Sequence, residues 1–250
     1  KTKLSYLKDT NLFSSVATII ASGQGLRGIY FILNETIFYP KGGGQPCDLG
    51  ALVFADKVQY PVTYVEFQGP TGCVHHYIAL PDNETEYIVN QRVGSSVELC
   101  VNAKRRLANA RAHTGGHLLS DVVCSLAPGK IGSHDPSEGC YVKFQGILNS
   151  CTSVELLESV NARLEQVLGG DTARSVVHWE EEQQQREAGE GEGTPLAAGK
   201  TCRFVQIEGF FPSPCGGTHV QNLGDLVGLH CTKVGIIKKE GVTKVSYAVQ

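Results

Sequence analysis

Two short segments constrain this chain more than anything else in it: His113-Thr114-Gly115-Gly116-His117 and Cys215-Gly216-Gly217-Thr218-His219. Each sets two metal-type side chains four positions apart. A fold that brings the segments together assembles three imidazoles and one thiol. Nitrogen and sulfur donors of that kind suit Zn2+, which takes four of them at tetrahedral corners. Two histidines on one helix face arise by chance, and Cys-x3-His alone is weaker still, so the metal reading rests on the pair of segments taken together.

Two kinds of site are compatible with that donor set. One is a closed four-ligand staple that holds the fold. The other keeps a position for water, whose pKa a zinc ion lowers toward about 7, and the natural chemistry is then hydrolysis. The Gly-Gly interior of both segments favours the open site, because it leaves the walls bare of side chains. The HExxH arrangement that puts a general base between two histidines is absent.

The rest of the chain sets the context. With 250 residues, 41% hydrophobic and 19% charged, it can bury a real core as one large domain or two modest ones. No apolar stretch reaches membrane-span length, and Lys1-Thr2-Lys3-Leu4 leads into no secretory leader. Nine scattered cysteines do not form a disulfide framework, and a reducing, cytoplasmic setting is expected. A net charge of −3 gives no global basic field for nucleic acid. Any RNA contact needs a local patch, with Lys104-Arg105-Arg106 and Arg111, or Lys233, Lys238, Lys239 and Lys244, as candidates. The ordinary reading of each is solvated surface.

Residues 1–99 carry short apolar or alternating runs, Ser15–Ile20, Gly28–Leu33, Ala51–Phe54 and Tyr64–Phe67, punctuated by Gly and Pro. This predicts a small β-barrel or compact sheet. Within it, Tyr39-Pro40-Lys41-Gly42-Gly43-Gly44-Gln45-Pro46 can be neither strand nor helix. It is either a tight loop or a backbone surface that approaches another domain or a ligand. Asn102–Leu126 turns helical, with Leu107, Ala110, Thr114, Leu118 and Val122 at three- and four-residue steps. A capping box at Thr152–Glu155 opens a second helix with an apolar stripe from Leu156 to Leu168. Strands are expected at Val176–Trp179, Phe204–Ile207, Leu226–Val234 and Lys244–Val249, and an exposed helix or loose connection at Glu180–Gly193. Pro212 and Pro214 put the second ligand pair on a loop.

The two ligand segments resemble the zinc motifs of the alanyl-tRNA editing family, which comprises the editing domain of alanyl-tRNA synthetase and its free-standing homologues. Tyr39-Pro40-Lys41-Gly42-Gly43-Gly44-Gln45-Pro46-Cys47-Asp48-Leu49-Gly50 is similar to the glycine-rich motif of their small β-domain. Threonyl-tRNA synthetase editing domains share the ligand plan, but Gly216-Gly217-Thr218 and the glycine-rich motif favour the alanyl branch. The resemblance implies an α+β fold: a small N-terminal β-barrel-like domain (1–99), then a two-layer editing domain (100–250) with helices on a mainly antiparallel sheet. It implies Zn2+ as cofactor, His113, His117, Cys215 and His219 as metal ligands, and hydrolysis of the ester joining serine, or glycine, to the acceptor end of tRNA(Ala). No ATP-binding synthetase core is recognisable, so a monomer acting in trans, away from membranes, is expected. A zinc-stapled tRNA-binding module without catalysis is the alternative. Gly116 departs from the Gln or Thr that many relatives have before the second histidine, so reading of the serine hydroxyl falls to Thr114, Thr218 or backbone groups. His113, His117, Thr114 and Thr218 are thus the catalytic candidates, with Gly42, Gly43, Gly44, Gln45, Gly116, Gly216 and Gly217 expected to line the substrate.

Overall fold

A computed structural model describes residues 1–80, 89–127, 130–135, 139–145, 152–170, 176–182 and 201–250. Its first part is built from β1 (Lys3–Leu4), β2 (Ser14–Gly25), β3 (Gly28–Leu33), β4 (Glu35–Thr36), β5 (Gly50–Val53), β6 (Gln59–Gln68), β7 (Cys73–Ile78) and β8 (Ser96–Val101). Six of these close into a barrel in the order β2-β3-β7-β6-β5-β8, every neighbour antiparallel. Period-2 alternation sends Ile19, Phe31, Leu33, Leu52, Tyr60, Val62, Val65, Val74 and Leu99 inward, where they form one buried cluster. Closure needs Gly50: a β-carbon there would lie 2.0 Å from the Cys100 carbonyl oxygen on the neighbouring strand.

Helix α1 (Ala103–Leu126) follows directly. Asn102 caps it, its side chain accepting from the Arg105 N–H at 3.0 Å. After it come β9 (Lys130–Asp135), β10 (Tyr141–Gln145), α2 (Ser153–Gly169), β11 (Val176–Glu182), β12 (Thr201–Ile207), β13 (Ser213–Pro214), β14 (His230–Ile237) and β15 (Val242–Ala248). The strands make an antiparallel sheet in the order β14-β15-β10-β9 and a second one, β11-β12-β13. The capping box at Thr152 is formed in both directions. Leu118, Leu119 and Val122 of α1 share a second buried cluster with Leu156, Val160 and Leu164 of α2 and with Phe144, Val205, Val245 and Tyr247 of the sheets. The fold is α+β, as expected.

Several local expectations change. The strand expected from Leu226 starts at His230; Leu223–Asp225 is a 3-10 turn and Leu226 ends it. Glu180–Glu182 extends β11 instead of opening a connection, and the rest of Glu180–Gly193 lies outside the described residues. Arg106 is not part of a solvated basic patch: it is fully buried in an ion pair with Asp48.

Candidate metal centre

Helix α1 sets His113 and His117 one turn apart on the same face. The loop after β13 returns Cys215 and His219 to them, so that one donor atom from each of the four residues lies within 4.8 Å of every other. Cys215 Sγ is 3.5 Å from His113 Nε2 and 3.3 Å from His219 Nε2. Bonds of about 2.1 Å to nitrogen and 2.3 Å to sulfur put tetrahedral N and S donors about 3.6 Å apart, so the set fits one Zn2+. Among the described residues no second cluster of this kind occurs. His76 is instead a core residue of the barrel, and His75 stacks on Tyr30 with ring centroids 3.8 Å apart.

A ring of buried polar groups holds these ligands. Thr114 donates its hydroxyl to the Ala110 carbonyl at 2.9 Å, which leaves Oγ1 to accept from His219 Nδ1 at 3.1 Å and from the Val220 N–H at 3.1 Å. His219 therefore carries its proton on Nδ1 and turns the Nε2 lone pair toward Cys215. Thr114, expected to read substrate, has spent its one donor and both acceptor positions inside the protein. From the barrel side, the Gln45 side chain reaches His113 Nδ1 at 2.7 Å, the Thr218 N–H at 3.1 Å and Thr218 Oγ1 at 2.9 Å. Gln45, Thr114 and Thr218 are all fully buried.

Arg203 on β12, which no sequence motif marked, donates through Nη1 to the carbonyls of Cys215 (2.8 Å) and Gly217 (2.9 Å). It thereby fixes the curvature of the loop that carries two ligands, while the Arg203 carbonyl accepts from the Cys215 N–H. Thr10, also unmarked, accepts from the His219 N–H at 3.3 Å.

The electrostatics follow from burial. His117 is pushed down to about 4 by desolvation, with the Arg203 charge adding to the effect, so its imidazole is neutral and available as a ligand. Burial pushes the Cys215 thiol up, against the opposing pull of the Gly217 N–H and Arg203. Metal binding at this thiol must therefore release a proton.

The glycines divide by role. Gly43 and Gly44 have positive φ (54° and 81°) and close the turn between Gly42 and Gln45. Gly115 lies against the core, where a β-carbon would stand 3.1 Å from Leu229 Cδ1, so its bareness serves packing. Gly116 is buried in α1 beside His117. Gly217 lets His113 approach, whereas Gly216 faces open space. A cavity of about 370 Å3 reaches His219 and is lined among others by Lys8, Asp9, His178 and Gln221.

Residues 202–243, the segment that carries Cys215 and His219, match the family described as the threonyl and alanyl tRNA synthetase second additional domain. The chain is similar to the alanyl-tRNA editing protein AlaX-M of Methanosarcina mazei, at 28% identity over 93% of this chain and 91% of that protein. It is 30% identical to the alanyl-tRNA editing protein Aarsd1-B of Xenopus laevis over 80% of this chain and 44% of that one. An alanine–tRNA ligase of Methanococcoides burtonii is 31% identical over 88% of this chain. The chain spans only about a quarter of that ligase and of a second from Methanosphaera stadtmanae (23% and 27%). The similarity thus points to proteins named alanyl-tRNA editing proteins, one of which the chain matches over nearly the whole of both chains.

Proposed function

We propose that the protein is a zinc-dependent hydrolase that removes serine, and secondarily glycine, from mischarged tRNA(Ala) by cleaving the aminoacyl ester. The observation that carries this reading is the convergence of His113, His117, Cys215 and His219, with Nδ1 of His113 and of His219 already engaged by protein groups. Zn2+ held there supplies Lewis acidity and a bound water of lowered pKa. The chain's own residues do the rest. Gln45 and Thr114 orient imidazoles, Arg203 shapes the ligand loop, and the bare backbone at Gly216 leaves room for the ester. Water adds to the ester carbonyl, the C–O bond to the terminal ribose breaks, and free amino acid and a tRNA 3′-terminal ribose hydroxyl leave. With Thr114 fully committed, reading of a serine hydroxyl is assigned to Thr218 or to backbone groups outside the helix.

On this reading the chain divides near residue 100 and works as a cytoplasmic monomer on already charged tRNA. The names of the two editing relatives support the tRNA(Ala) assignment. One observation favours the competing staple: four protein donors are enough to fill a tetrahedral ion. Incubation of the purified, zinc-loaded protein with Ser-, Gly- and Ala-tRNA(Ala) separates the two. We expect release of serine, slower release of glycine, retention of alanine, and loss of turnover on chelation with the far-UV spectrum unchanged. Protein that binds tRNA(Ala) but frees no amino acid, or that unfolds on chelation, supports the staple instead.

A further inference from the structure

We propose that Gln45, at the tip of the glycine-rich loop, is a positioning residue that fixes the tautomer of His113. The proposal rests on the reading of His113 as a zinc ligand. Its first step is the orientation of the Gln45 amide. A backbone N–H can only donate, so the amide atom 3.1 Å from the Thr218 nitrogen is the oxygen, Oε1. The same Oε1 lies 2.7 Å from His113 Nδ1. An amide oxygen can only accept, so Nδ1 must carry the ring proton and Nε2 keeps its lone pair, turned toward Cys215. The amide nitrogen closes the arrangement by donating to Thr218 Oγ1 at 2.9 Å. A single side chain thus orients a histidine of the first ligand pair and pins the residue next to His219 in the second.

The loop is built to hold this aim. Gly43 and Gly44, in the left-handed region, allow the tight turn in which the Gln45 N–H donates to the Gly42 carbonyl at 2.9 Å. The Tyr39 hydroxyl donates to the same carbonyl at 2.8 Å. At the base of the loop, Asp48 accepts from the Tyr39 N–H and from Arg106 of α1, the helix that carries His113. The loop is therefore referenced to the same helix as the histidine it orients. This gives the glycine run a purpose other than facing substrate.

Two measurements test the proposal without relying on catalysis. Long-range 15N correlation spectra of metal-free protein labelled at histidine should show His113 protonated at Nδ1, and Gln45→Ala should lose that preference. Zinc affinity, measured by competition with a chromophoric chelator, should fall about 10- to 100-fold in Gln45→Ala. Gln45→Glu keeps an acceptor facing His113 and should bind zinc within about threefold of the native chain, a rescue that mere space-filling would not produce. The proposal is overturned if native His113 is protonated at Nε2, if Gln45→Ala binds zinc as tightly as the native chain, or if Gln45→Glu fails to rescue. Should Gln45→Ala not fold, the native tautomer and the Gln45→Glu affinity still decide. Native protein that shows these metal properties yet frees no serine from Ser-tRNA(Ala) would count against the proposed function and leave this inference intact.

Discussion

Gly217 and His113 stand so close that a β-carbon on the glycine would lie 2.0 Å from Cε1 and 2.2 Å from Nδ1 of the imidazole. The same β-carbon would press on Gln45 Oε1 at 3.1 Å. Backbone and ring cannot both stay where they are. We expect Gly217→Ala to weaken zinc binding by about a hundredfold, as displacement of an oriented ligand does. Gly216→Ala, with nothing within 4 Å of the new methyl, should leave it nearly unchanged. Chelator competition on the two variants checks the contrast, and equal affinities would refute it.

Thr114 offers a second test within the centre. Thr114→Val keeps the shape but deprives His219 Nδ1 and the Val220 N–H of their shared acceptor. Leaving buried donors unmade costs about 1–3 kcal/mol each. Urea denaturation should show a loss in the range of about 2–4 kcal/mol together with weaker zinc binding, and Thr114→Ser should retain both properties. A Thr114→Val protein as stable as the native one would show that the hydroxyl does not hold the ring.

Arg106 and Asp48 form a buried ion pair in which the arginine also donates to the carbonyls of Thr10 (2.9 Å) and Ile37. Removing one member of such a pair strands the other in a low-dielectric interior. Arg106→Met should therefore destabilise the chain by about 3–5 kcal/mol. Because Asp48 anchors the base of the glycine-rich loop, zinc affinity should fall as well. A mild stability loss with zinc affinity unchanged would detach the ion pair from the metal centre.

His76 predicts a pH dependence away from the site. It is fully buried, its Nδ1 donates to the Phe31 carbonyl at 3.2 Å, and Nε2 accepts from Thr36 Oγ1 at 2.7 Å. Burial pushes it down to about 4. The unfolded chain, with a histidine near 6.5, binds the proton more readily, so acid favours unfolding. The contribution is complete above about pH 6.5, declines as pH falls toward 4 and then levels off, with an upper limit of about 3 kcal/mol. Subtracting the stability profile of His76→Phe from that of the native chain should reveal this slope, and parallel profiles would refute it.

Much of this was legible in the sequence because the signals are local. Asn102 and the three- and four-residue steps after it define α1, and Thr152 with Glu155 defines the start of α2. The four ligands declared themselves by spacing and residue type. What surrounds them did not, because it depends on contacts between distant positions. Gln45 meets Thr218 across 173 residues, and Arg106, embedded in a run of basic residues, reads as surface until Asp48 is placed beside it. Gly115 and Gly216 look alike in the sequence, and only packing separates the one that meets Leu229 from the one that faces open space. The start of β14 was misplaced because Leu226 and Leu229 supply apolar character while being buried by a turn, not a strand.

The reach of Gln45 from the barrel to the ligands has a consequence for exchanging parts among relatives. All four metal-type residues lie after residue 112, and the family match covers only 202–243, yet part of the order around them comes from position 45. A barrel borrowed from a relative would serve this centre only if its own loop delivered a hydrogen-bond acceptor to the place Oε1 now occupies. Positions 45, 113, 217 and 218 therefore form one compatibility group that straddles the two halves, and a chimera joined near residue 100 would cut through it.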